Sequence, residues 1–126
     1  TEAREAMMRS NLLGLMLQHA ETVDALALHM LIANGRASRM FVPHLVIPDR
    51  VVRVLGDLKV PLDAIWGEFD RPHPDPHAQE AVLRRFQPEL DFRVIAGGGH
   101  WVMYERAEAF NAALLDMLAA PPRVME

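Results

Sequence analysis

The chain has 126 residues, 51% of them apolar and 24% charged, with a net charge of −4. This suffices for one globular domain that buries roughly two-thirds of its unfolded surface. The acidic balance offers nucleic acid no basic footprint, and the absence of cysteine excludes disulfides, thiolate metal sites and Cys nucleophiles.

No apolar stretch approaches the ~20 residues that span a bilayer, so no membrane partner is expected. Thr1-Glu2-Ala3-Arg4-Glu5 lacks the basic-then-apolar order of a signal peptide, which makes a cytoplasmic location the expectation. It also lacks an initiator Met. The expectation is a piece of something longer, although a processed Met accounts for the same observation.

Residues 2–33 read as helical. Met8, Leu12, Leu15 and His19 share one face, widened by Leu13, Met16 and Leu17. Thr22 is the expected cap of a second helix, with Asp24 in its first turn and Leu26, Met30 and Ala33 on its buried side. Asn34-Gly35 reads as its stop. Two helices so rich in Met and Leu are either core or a lid over a pocket, and a contact surface is the third option. Residues 36–48 are irregular, punctuated by Pro43 and Pro48. Asp49 is the expected cap of a short helix over Val51, Val52 and Leu55 that ends near Gly56.

The rhythm changes after residue 59. A strand over 60–66 leads into a loop rich in Pro and His that runs through residue 77. A helix over 78–87 follows, with Ala78, Val82, Leu83 and Phe86 as its apolar side. A strand over 92–96 stops in Gly97-Gly98-Gly99. The last helix covers about 107–119, with Phe110, Ala113, Leu114, Met117 and Leu118 at helical spacing. Strand–helix–strand–helix order implies an α/β fold with parallel strands and right-handed crossovers. Two parallel strands alone leave open edges, since such strands are normally buried within a larger sheet. More strands from elsewhere, or a second copy of the chain in a homodimer, are expected to cover them.

Each strand delivers one member of a possible acid–base pair. Asp70 follows the first, at the end of Ile65-Trp66-Gly67-Glu68-Phe69-Asp70. His100 follows the second, after the three glycines. An Asp that orients a His is half of a nucleophilic triad. Against this, His100 is alternatively a satisfied histidine in a glycine turn, and Asp70 a turn residue.

These segments, with Gly99-His100-Trp101-Val102-Met103-Tyr104-Glu105, Phe110-Asn111 and the closing Leu-rich helix, resemble the C-terminal half of an α/β-hydrolase. The resemblance is strongest from residue 60 to 118. It implies a partial α/β-hydrolase fold: a helical cap segment and return linker over 1–58, then the C-terminal part of the core over 59–126. It also implies a serine-type hydrolase acting on a small, mostly apolar ester or related carbonyl substrate, with no cofactor. Diketone carbon–carbon bonds and haloalkanes are within the family's range. His100 takes the place of the base and Asp70 that of the acid, ahead of the neighbouring carboxylates Glu68 and Asp75. Trp101 and Met30 are the expected pocket residues, with core packing the alternative for Trp101. Glu105 is expected to partner a backbone or Arg group.

The nucleophile does not fit. The family's Gly-x-Ser-x-Gly elbow and the oxyanion loop ahead of it have no counterpart. The only serines are Ser10, inside a helical pattern, and Ser38, in Gly35-Arg36-Ala37-Ser38-Arg39. The chain alone is therefore expected to be inactive, completed by a missing N-terminal half. The alternative is a non-catalytic dimerisation or binding module derived from a hydrolase.

Arg71-Pro72-His73-Pro74-Asp75-Pro76-His77 also admits a zinc site if its His and Asp converge. The alternating prolines favour an extended path that spreads them, so a solvated loop and no metal are expected. His19, His29 and His44 read as surface or helix-packing residues. Arg36 and Arg39 read as a solvated turn rather than an anion site.

Overall fold

A computed structural model describes residues 1–39, 49–121 and 123. In chain order it contains α1 (Glu2–Asn11), a π-helical turn (Leu12–Met16), a 3-10 turn (Ala20–Thr22), α2 (Ala25–Ala37) and α3 (Arg50–Leu55). There follow β1 (Ala64–Gly67), α4 (Pro76–Arg84), β2 (Phe92–Ile95), α5 (Val102–Glu105) and α6 (Ala107–Ala119). β1 and β2 pair in parallel, with Ala64 opposite Phe92 and Gly67 opposite Ile95. Helices and a small parallel sheet give the α/β class. Among the described residues no third strand joins the sheet, and no helix is long and apolar enough to cross a membrane.

The first of the two helices expected within 2–33 is broken after Asn11. After Asn11 the chain opens into a wider turn, where the Leu17 N–H reaches Leu12 O at 2.8 Å. The cause is tertiary. Carbonyls at this end of the segment are claimed from outside: Met16 O accepts from the Trp101 N–H at 2.9 Å. The Arg71 guanidinium donates to both Leu13 O and Leu17 O. External donors satisfy what a helix end leaves unpaired, so the end stays here. Two corrections follow. Leu15, expected on the buried face, is exposed, and His19 leaves the helix for extended backbone.

Thr22 is not the cap of α2. Asp24 is, its carboxylate accepting from the Ala27 N–H at 2.8 Å. The buried side of α2 is Ala27 and Leu28, with Leu26 exposed and Met30 and Ala33 only partly covered. The helix also runs through Asn34-Gly35 to Ala37. Asp49 makes no capping bond to α3 and instead pairs with Arg53 at 2.8 Å. Val51 on α3 is exposed. Pro43, His44 and Pro48 lie outside the described residues.

The first strand starts at residue 64 rather than 60, because Gln87 takes the preceding backbone. Its amide accepts from the Leu62 N–H at 2.6 Å and donates to Val60 O at 2.9 Å. The next helix begins earlier than expected, at Pro76, where Pro suits the first helical position. Asp75 caps it through the Ala78 N–H, and Ala78 is exposed. The last helix keeps its expected bounds. Of its apolar stripe only Met117 is buried, while Leu115 and Leu118 are 66% and 73% exposed. The buried core is elsewhere: Leu12, Leu17, Val23, Ala27 and Leu28, with Trp101 and Tyr104 packed against it. It thus joins the N-terminal helices to the segment that carries His100.

Candidate active site

Two loops leave the same end of the sheet, one from each strand, and backbone bonds lace them together. Glu68 N–H donates to Ile95 O at 3.1 Å and Phe69 N–H to Gly98 O at 2.8 Å. The Glu68 carboxylate accepts from the Gly97 N–H at 2.8 Å. This seam needs glycine. A Cβ on Gly67 would lie 2.1 Å from Gly99 O and 2.6 Å from Gly98 O. Gly97 turns the second loop with φ +71°, a left-handed conformation that glycine adopts without penalty.

The seam brings Asp70 and His100 together. Asp70 is buried, and its Oδ2 lies 2.8 Å from His100 Nδ1. The other oxygen accepts from the His73 N–H at 2.9 Å. A carboxylate only accepts, so Nδ1 of His100 carries the proton and Nε2 keeps its lone pair. The imidazole is 32% exposed, open enough for a reacting group to reach. Of the competing carboxylates, Glu68 is held on the Gly97 N–H and Asp75 on α4.

The His100 loop is anchored on its far side by Glu105. This carboxylate accepts from the backbone N–H groups of Gln18 (2.9 Å), His19 (2.7 Å) and Gly99 (2.7 Å), and from the Thr22 hydroxyl (3.0 Å). Burial pushes its pKa up, but these donors outweigh that and hold it below the usual carboxylate value. The expected backbone partnership is thus present, and it ties the turn before α2 to the glycine loop. A carboxyl with a depressed pKa adds stability above its unfolded pKa and loses it as the pH falls through the folded value. Glu105→Gln is expected to cost about 2 kcal/mol at pH 7, in the range of hydrogen bonds to charged groups. The cost should shrink at pH 4 and below, as urea denaturation at the two pH values would register. An equal cost at both would remove the charge from the explanation.

Trp101 donates its backbone N–H to Met16 O and sets its ring edge-on to Tyr104, with centroids 6.3 Å apart. It packs on the core cluster, whereas Met30, partly covered on α2, is not among the side chains packed there. Arg36 lines a groove between α1 and α2 together with Arg4, Arg9 and His29. His19 is drawn inward, with Nε2 2.9 Å from Gly97 O and 3.1 Å from Arg106 Nη2.

The proline loop splits its two histidines. His77 faces Glu80 at 3.5 Å. His73 turns back, its Nδ1 3.6 Å from Asp70 Oδ1 and its ring centroid 5.5 Å from that of His100. The extended path expected for this loop is overridden at His73, because Asp70 captures its N–H. The sequence reading missed His73 beside the pair. It also missed Arg71 as the clamp on the N-terminal segment.

No family model matches the chain. Among curated proteins it is 37% identical over 65 residues to 2-hydroxy-6-oxo-6-phenylhexa-2,4-dienoate hydrolase of Burkholderia cepacia. It is 35% identical over 65 residues and 39% over 64 to the 2-hydroxy-6-oxononadienedioate/2-hydroxy-6-oxononatrienedioate hydrolases of Comamonas testosteroni and Paraburkholderia phymatum. These matches take in 52%, 52% and 51% of this chain and 22% of each relative. The chain therefore covers less than a quarter of the length of the relatives it matches. Its homologues are hydrolases, and the resemblance to the C-terminal half of an α/β-hydrolase stands.

Proposed function

We propose that this chain is the acid–base portion of a serine-type hydrolase of the α/β fold. Residues 1–58 are its helical cap segment and return linker, and the nucleophile and oxyanion hole come from sequence outside these residues. The observation that carries the reading is the 2.8 Å bond between Asp70 Oδ2 and His100 Nδ1 at adjacent ends of two parallel strands. With Nδ1–H held by Asp70, Nε2 of His100 removes the proton from the attacking hydroxyl as it bonds to the substrate carbonyl carbon. Asp70 stabilises the imidazolium, which then returns the proton to the leaving group. The substrate is a small, mostly apolar ester or related carbonyl compound. The relatives' names put 2-hydroxy-6-oxo-dienoates first among the compounds to try. Trp101, next to the base, is the proposed pocket wall, with Met30 a more distant contributor. A cytoplasmic location goes with this reading.

The test is turnover of p-nitrophenyl acetate and of a 2-hydroxy-6-oxo-dienoate by the complete gene product, with and without His100→Ala. Activity on at least one compound, abolished by the substitution, is expected. Turnover that survives the substitution removes His100 from the mechanism.

One observation favours a second reading, an assembly module without catalysis. Leu115 and Leu118 stand exposed on α6, and both edges of the two-stranded sheet are open among the described residues. If a second copy covers this surface, the 126-residue chain runs as a dimer on sizing. If the surface belongs against the rest of one hydrolase core, the dimer is absent once the complete gene product is made.

A further inference from the structure

We propose that Asp70, His73 and His100 form a binding site for a divalent transition cation of the zinc class, and that the cation silences the acid–base pair when bound. Each of the three residues offers one ligand atom, and these atoms all lie within 4.8 Å of one another. Ligand atoms around a tetrahedral zinc at about 2.0–2.1 Å stand roughly 3.3 Å apart. Closing the site therefore needs a shift of up to about 1.5 Å at its widest span.

The side chain best able to move is His73, which is half exposed. Its backbone is already fixed by Pro72, Pro74 and the N–H bond to Asp70, so rotation of the imidazole suffices. Asp70 is nearly inaccessible and presents oxygens to both rings, Oδ2 to His100 and Oδ1 to His73. The nearest cation in sequence, Arg71, is turned away and spent on Leu13 O, Leu17 O and Gln18 Oε1. Two imidazoles and one carboxylate suit borderline metals such as Zn²⁺ and disfavour Mg²⁺, which prefers all-oxygen shells.

Binding would oppose catalysis through the tautomer of His100. The base form carries its proton on Nδ1 and its lone pair on Nε2. A metal on Nδ1 displaces that proton, which a neutral imidazole then carries on Nε2. The lone pair needed for proton abstraction is consumed, and Asp70 is diverted from the ring to the metal. The site depends only on residues of this chain and stands without the hydrolase reading, whereas its silencing effect rests on that reading.

The experiment is calorimetric titration of the full chain with ZnCl₂ at neutral pH, alongside His73→Ala, Asp70→Asn and His77→Ala, each checked for folding by circular dichroism. One zinc per chain is expected. Affinity should fall at least about tenfold in the first two variants and stay unchanged in the third. MgCl₂ should give no comparable signal. Imidazole resonances of His73 and His100 should shift together on zinc addition, which keeps the test decisive if a variant folds poorly. Absence of stoichiometric binding, binding unaffected by His73→Ala, or a response confined to His77 would overturn the proposal.

Discussion

On the proposed function, Asp70→Asn is expected to lower kcat of the complete gene product by about 10⁴-fold, the scale seen when a triad base is left in the wrong tautomer. Both carboxylate oxygens of Asp70 accept: Oδ2 faces His100 Nδ1 at 2.8 Å and Oδ1 faces the His73 N–H at 2.9 Å. An amide has only one oxygen. The His73 N–H is a backbone donor that cannot reverse, so the Asn oxygen settles on it and the NH₂ turns to His100. That forces the lone pair of His100 onto Nδ1 and the proton onto Nε2, where the base must be bare. The opposite amide orientation sets two donors against each other at His73 and costs stability instead. Steady-state kinetics with the dienoate, together with thermal unfolding, separates the two. A kcat within tenfold of the parent would show that the orientation of His100 does not depend on this carboxylate.

Gly67→Ala should be the most damaging single substitution in the sheet. Its Cβ would meet two backbone oxygens, Gly99 O at 2.1 Å and Gly98 O at 2.6 Å. No side chain can rotate to relieve that contact. The loops must separate, which strains the Phe69–Gly98 hydrogen bond and pulls His100 from Asp70. The expected cost is about 3 kcal/mol or more, at the upper end for overpacking. Gly14→Ala serves as the control, since nothing lies within 4 Å of the added carbon. It should be neutral or slightly stabilising, because Gly costs roughly 0.5–1 kcal/mol relative to Ala within a helix. Urea denaturation of both variants checks the contrast. Equal stabilities would mean that the seam yields without cost.

The contrast between the two glycines also marks what could be read from sequence. Residues 107–119 announce a helix because their apolar spacing is local, and the structure keeps the expected bounds. The pairing of Asp70 with His100 was legible as well, because each follows an apolar run that stops in a turn. The break in the N-terminal helix was not legible. Nothing among Leu12–Met16 forces it except a permissive Gly14; Arg71, Trp101 and Glu105 impose it from 54 to 87 residues away in the chain. His73 was hidden for the opposite reason. Its flanking prolines speak for an extended loop, and the competing term, a side-chain oxygen accepting a backbone N–H three residues on, is a turn signal of Asp that local proline counting overlooks. The exposed face of α6 is a third case. Its periodicity predicts a buried stripe, and of that stripe only Met117 is buried among the described residues.

On the proposed function, Asp70 holds His100 ready to act as a base, protonated on Nδ1 and bare on Nε2. Imidazole nitrogen and proton resonances of His100, recorded by NMR on the 126-residue chain at a pH where the ring is neutral, test it without any nucleophile. The expected result is the Nδ1–H tautomer with a hydrogen-bonded proton that Asp70→Asn removes. A ring found in the Nε2–H tautomer, or one unchanged by that substitution, would contradict it.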